Sequence, residues 1–182
     1  EYPNELNIFL KYVKEASFIG EVGLDISSKG TNNIELQKKI FESIVNECAK
    51  VGDKIISIHS RKTDDIIFDF LKRSSCIYIM HWYTGNIKRL LNAMSSDDNI
   101  YVSINSDMVH SYNSRKLIEA VPLSRMVLET DAPFTAKTKN EYPKQILNDI
   151  VIEIAKIKKI ERLQVLKTIS DNSRKILSIQ ER

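Results

Sequence analysis

The sequence predicts an α/β fold built on a parallel sheet. Five short β-rich runs alternate with amphipathic stretches, spaced by about one βα unit each. The runs are continuously apolar and rich in β-branched residues, as expected of strands covered on both faces. At 182 residues the chain is long enough for a sizeable core. It contains no repeat, low-complexity segment or linker, so residues 1–182 are expected to form a single domain.

The first run is Phe18 to Asp25. A helix is expected over 34–51, with Leu36, Ile40, Ile44 and Cys48 in one row and Phe41 and Val45 beside it. Asn33 is placed to cap its start and Gly52 to close its end. The second run is Lys54 to His59. Thr63 then caps a helix whose first turn carries Asp64 and Asp65, where negative charge suits the helix dipole, and which ends near Lys72 and Arg73. The third run is Cys76 to His81. A helix starting near Asn86 carries Ile87, Leu90, Leu91 and Met94 at helical spacing. The fourth run, Ile100 to Ile104, precedes a short helix over 114–121, and the fifth is Met126 to Glu129. Two helices close the chain. One enters at Pro143 with Ile146, Leu147, Ile150, Val151 and Ile154 on its stripe. The last covers 161–180, with a break expected near Asp171-Asn172.

Composition excludes several classes. Apolar residues make up 42% and charged residues 28%, ordinary for a globular protein. No apolar run approaches membrane-span length, and the first residues lack a secretion-signal pattern. The first residue is Glu1, not Met, so the natural start is expected upstream. The net charge of +3 tolerates a polyanionic partner without demanding one. Cys48 and Cys76 form no Cys-x-x-Cys, which argues against a disulfide scaffold and for a reducing cytoplasm. Cys48 falls on a helical stripe and is expected to pack.

In parallel α/β proteins the active site lies at the carboxyl ends of the strands. Here the first strand is expected to end at Glu21, the second at His59, the third at His81, and the fifth at Glu129-Thr130-Asp131. The chain has 3 histidines, and two of them stand at strand ends. Taken singly, such a histidine is more often a hydrogen-bonded structural residue. Two imidazoles and two carboxylates converging on one rim instead suit a divalent ion of the Mg, Mn, Zn or Co type.

Four segments carry a family resemblance. Gly20-Glu21-Val22-Gly23-Leu24-Asp25 resembles G-E-x-G-L-D, and Ile58-His59-Ser60-Arg61 resembles I-H-S-R. His81-Trp82-Tyr83-Thr84-Gly85 resembles H-x-[FY]-[ST]-G, and Glu129-Thr130-Asp131-Ala132-Pro133-Phe134 resembles E-T-D-[AG]-P-[YFL]. These are the metal-binding motifs of TatD-type deoxyribonucleases, in the same order. The stretch from His81 to Phe134 also resembles the TatD-like nucleases of Qat anti-phage gene clusters.

The resemblance implies a (β/α)8 TIM-type barrel that hydrolyses phosphodiesters of nucleic acid, DNA in the first place, with two divalent ions per full-length site. Glu21 would bridge the ions and His59 and His81 would ligate the second. Asp131 would ligate the first and accept a proton from the attacking water, so Asp131 and Glu21 are the expected catalytic pair. The family's first strand ends in H-x-H, which supplies two further ligands, and this sequence contains no H-x-H. By the resemblance strands 4–8 are present, and a whole barrel needs about 250 residues. The chain is therefore expected to be an N-terminally truncated piece with impaired metal binding and activity.

Supporting residues stay open between two roles. Arg61 either grips a phosphate or forms a surface salt bridge. Thr84 and Gly85 either cradle a phosphate at a helix start or form an ordinary cap turn. Trp82 and Tyr83 either stack on a base or pack. Glu129 can orient a ligand, sharing a side with Asp131 by alternation. Lys137 and Lys139 are expected in a solvated loop, Asp25 as a structural residue fixing the loop after Glu21, and His110 at the surface. Two other functions compete: a related metal-dependent amidohydrolase-type enzyme acting on a non-nucleic-acid substrate, and a truncated non-catalytic copy serving as a binding or assembly module.

Overall fold

The structure, a computed structural model, describes residues 2–27, 33–135 and 142–181. The chain forms two compact units, Glu1–Ile100 with Leu177–Arg182 and Tyr101–Ile176. Lys137 and Lys139 lie outside the described residues. Among those described, no helix is long and apolar enough to cross a membrane.

The first unit runs α1 (Tyr2–Tyr12), β1 (Phe18–Asp25), α2 (Ile34–Val51), β2 (Ile55–Arg61), α3 (Ile67–Phe70), β3 (Ile77–Met80) and α4 (Ile87–Ser96). Strands β1, β2 and β3 pair in parallel in chain order. Ile56 and Ile58 are fully buried, the two-sided covering that their continuous apolar run predicts. Helix α2 has the expected bounds, with Asn33 capping through its side chain and Gly52 closing at φ 80°. Its buried stripe is Phe41, Ile44, Val45 and Cys48. Leu36, expected on that row, is exposed. Helix α1 has no counterpart among the sequence expectations.

Thr63 is corrected. It caps no helix: its buried hydroxyl donates to the Leu24 carbonyl, tying the chain leaving β2 to the end of β1. Helix α3 starts later, at Ile67, without a side-chain cap, and ends at Phe70 rather than near Arg73.

The second unit runs β4 (Ile100–Ile104), α5 (Ser106–His110), α6 (Tyr112–Ala120), β5 (Met126–Leu128), α7 (Pro143–Lys158) and α8 (Arg162–Leu177). β4 and β5 pair in parallel, Val102 with Met126 and Ile104 with Leu128, and every residue of β4 is buried. Pro143 opens α7, whose buried face includes Ile146, Ile150, Val151 and Ile154. Helix α8 shows no break at Asp171-Asn172. Asn172 instead points inward, and its amide donates to the carbonyls of Leu123 and Met126 at 2.9 and 2.8 Å. Those carbonyls belong to the turn entering β5, so a polar residue inside the helix holds the strand entry.

Two outcomes follow. Replacing Asn172 with Ala removes both bonds and takes a donor from the buried Met126 carbonyl, and should cost about 2 kcal/mol in chemical denaturation. At Gly23 φ is +154° and an added Cβ would lie 1.9 Å from the His59 carbonyl oxygen. Gly23→Ala should therefore destabilise by about 3 kcal/mol or more; a wild-type unfolding midpoint would contradict that packing.

Candidate functional site

Glu21 owes its direction to an irregularity in β1. Ile19 pairs with Ile56, but Val22 pairs with Ile58, so one extra residue of β1 is accommodated between them. Such a bulge re-aims the side chains beside it. With an unbroken register Glu21 would stand opposite Ile58, whose side chain is on the other face from His59. After the bulge, Gly23 pairs with His59, and Glu21 shares its face. Glu21 therefore lies inside β1 rather than at its end. β2 likewise continues two residues beyond His59 to Arg61.

His81 is the first residue after β3, and its amide donates to the Ile58 carbonyl at 2.9 Å. Trp82 follows at φ 37°. The two imidazoles meet one carboxylate oxygen: Glu21 Oε1 lies 2.7 Å from His59 Nδ1 and 3.6 Å from His81 Nε2. The other ring nitrogen of His59, Nε2, lies 3.1 Å from Asp25 Oδ2. Burial raises the Asp25 carboxyl, but hydrogen bonds from the Ser27 hydroxyl and amide, and then from His59, outweigh it and hold Asp25 below the ordinary carboxylate range.

Among the described residues no trio of His, Cys, Asp or Glu is preset around a common point as a cation cage. By donor type, one carboxylate with two imidazoles nevertheless suits a divalent ion. Metal–ligand bonds of about 2.0–2.2 Å put neighbouring ligands roughly 3.0–3.4 Å apart, and the 2.7 and 3.6 Å separations bracket that range. Carboxylate with imidazole is also the donor chemistry that suits Zn, Mn and Co.

His59, His81, Ser60, Arg61, Trp82 and Thr84 line a cleft of about 200 Å³. Arg61 is exposed there, and among the described residues its guanidinium pairs with no carboxylate, against the surface-salt-bridge alternative. Tyr83 is corrected as a base-stacking residue: it is fully buried, packs against Phe68, and donates its hydroxyl to the Asn86 carbonyl. Burial, and then the neighbouring Asp64 carboxylate, push that phenol well above the ordinary tyrosine range. Gly85 also takes the second of its two open roles. A Cβ there would lie 2.5 Å from Asp64 Cβ, so Gly85 serves close packing. The start of α4 is satisfied internally: Asn86 caps the Arg89 amide, and the Asp64 carboxylate accepts from the Asn86 amide at 3.0 Å. These bonds are those of an ordinary cap turn, the second of the two roles left open for Thr84-Gly85, and Thr84 lines the cleft.

In the second unit, Asp131 adopts φ 48°, and its carbonyl accepts from the amides of Phe134 and Thr135. Thr135 donates its hydroxyl to the Thr130 carbonyl at 2.7 Å, closing the turn that carries Asp131. Glu129 accepts from the Ser103 hydroxyl and, at 3.1 Å, from the Asn105 amide. Ser103 and Asn105 were missed in the sequence, although they are the polar residues ending an otherwise apolar strand. Asp25 was read as structural only. Period-two counting from Glu21 puts residues 21, 23 and 25 on one face and would have found it. His110 is exposed, as expected.

The chain is 31% identical over 158 residues to an uncharacterized metal-dependent hydrolase of Methanocaldococcus jannaschii, covering 85% of this chain and 60% of that protein. It is 25% identical over 183 residues to the human 3'-5' RNA nuclease TATDN2, covering 93% of this chain and 24% of that one. The chain thus spans less than two thirds of these relatives' lengths. The crystal structure of the TatD homologue YJJV from Escherichia coli superposes with a TM-score of 0.77 at 16% identity, over 93% of this chain and 70% of that one. That match shows the α/β fold shared with TatD structures. The model of TatD-related DNases matches residues 2–178, nearly the whole sequence, and the chain belongs to that family.

Proposed function

We propose that this chain carries part of the active site of a metal-dependent phosphodiesterase acting on nucleic acid, with DNA as the substrate. One observation carries the reading: Glu21 Oε1 is met by His59 Nδ1 and His81 Nε2, side chains from three separate segments. The family description as DNases supports DNA, and the human relative named as an RNA nuclease supports a nucleic-acid substrate more generally.

Divalent ions, two in the complete site, would supply a hydroxide at neutral pH and charge relief on the phosphate. Glu21, His59 and His81 would hold one of them, and Glu21 would be shared with the other. Asp131 is proposed to ligate the other ion and to take the proton of the attacking water at its carboxylate. Arg61 presents a planar fork of donors at the cleft and would bind a non-bridging phosphate oxygen, orienting the scissile group. Trp82 lines the same cleft and would stack on a base. Glu129, held by Ser103 and Asn105, would restrain the Glu129-Thr130-Asp131 segment rather than react.

The resemblance assigns two ligands to an H-x-H that this sequence does not contain, so activity of the 182-residue chain should be weak. Calorimetric titration with Mn²⁺ is expected to return one binding event; two equivalent events would refute that assignment. Cleavage of labelled DNA should stop on chelation and return with Mn²⁺ or Mg²⁺. Glu21→Gln should lower it by more than the ~100-fold typical of losing an outer partner of a ligand. Chelator-resistant cleavage, or full activity in Glu21→Gln, would sink the proposal. Arg61→Ala should raise KM for DNA with a smaller change in kcat, measured with the same substrate.

A further inference from the structure

We propose that Asp25 is a positioning residue that fixes the His59 ring so that Nδ1 faces Glu21 and the cleft. The proposal deepens the reading of Glu21, His59 and His81 as a ligand set and rests on it. His59 stands between two carboxylates, with Nδ1 at 2.7 Å from Glu21 Oε1 and Nε2 at 3.1 Å from Asp25 Oδ2. The two nitrogens sit on one rigid ring, so holding Nε2 aims Nδ1. A carboxylate on the outer nitrogen of a ligating histidine fixes ring orientation and raises ligand basicity.

Asp25 is itself held from every side but one. Its Oδ1 accepts from the Ser27 amide at 2.6 Å and from the Ser27 hydroxyl at 2.5 Å. Its amide donates to Gln37 Oε1 at 2.9 Å, and its carbonyl accepts from Gln37 Nε2 at 3.0 Å. The Gln37 carboxamide thus stands where the peptide of a neighbouring strand would, so the first turn of α2 locks the end of β1. These four bonds leave Oδ2 for His59. Gly23 lies between Glu21 and Asp25 on their common face, paired with His59, and contributes no side chain to separate the carboxylates from the ring. An aspartate needed only to shape the loop would be satisfied by Ser27 and Gln37 alone.

The test uses the whole chain with ¹⁵N-labelled histidine, at a fixed pH of about 8, above the ordinary imidazole range. In Asp25→Ala the occupancy of the proton on His59 Nε2 should fall, read from the ring-nitrogen shifts without added metal. Asp25→Asn, of nearly equal size, keeps an acceptor and should restore much of the wild-type pattern. Mn²⁺ affinity by calorimetry should drop about 10–100-fold in Asp25→Ala. Gln37→Ala should give a smaller change in the same direction. Unchanged His59 shifts in both Asp25 variants overturn the proposal whatever the metal titration gives. Unchanged Mn²⁺ affinity in Asp25→Ala, with binding lost in Glu21→Gln, also overturns it while leaving the ligand set intact. Unchanged affinity in Glu21→Gln overturns the ligand reading instead, and the ring-nitrogen shifts then still decide the role of Asp25.

Discussion

The contact on which the candidate site depends is backbone against backbone: residue 23 of β1 pressed against the carbonyl of residue 59 in β2. Only a hydrogen fits in that space, and the paired register beyond the bulge passes through it. A slip of one residue would carry every side chain of β1 to the other face. Glu21 would then turn toward the packing between strand and helix, and two imidazoles would lose their common carboxylate. The stringency of the site is thus a property of strand packing before it is a property of ligand chemistry.

The polar groups near the candidate ligands are supported in layers. In the first unit Ser27 and Gln37 hold Asp25, and Asp25 meets His59. In the second, Ser103 and Asn105 hold Glu129, while Asn105 also caps α5 through its own oxygen. Each arrangement uses a buried or half-buried polar side chain whose bonding capacity is divided between backbone and carboxylate. Such networks favour one geometry because an unmade bond in a low-dielectric setting is costly.

The architecture was legible because parallel strands and amphipathic helices write their periods directly into the chain. The bounds of α2, its Asn33 cap and the fourth strand needed nothing beyond local chemistry. The failures share a cause. Thr63 and Asn172 look locally like a helix cap and a helix break, yet each is claimed by a distant partner: Leu24, and the turn at Leu123 to Met126. Tyr83 stayed open between stacking and packing for the same reason, since an aromatic after a strand reads alike whether it faces solvent or Phe68. His59 and His81 could be singled out because few histidines occur, and Glu21 because it stands in the G-E-x-G-L-D segment. Their mutual distances were not readable, because they depend on one inserted residue in β1.

Lys54 shows how differently the other end of β2 is built. Its side chain is 6% exposed, and its ammonium donates to the carbonyls of Lys14 and Ala16, which closes the chain between α1 and β1. That anchor stands five residues, or about 16 Å of extended chain, from His59. The anchoring contact and a candidate ligand thereby stand at opposite ends of the same strand. A substitution at the foot of β2 can therefore loosen the closure between α1 and β1 without touching the candidate ligands, and one at its mouth can alter those ligands without touching that closure.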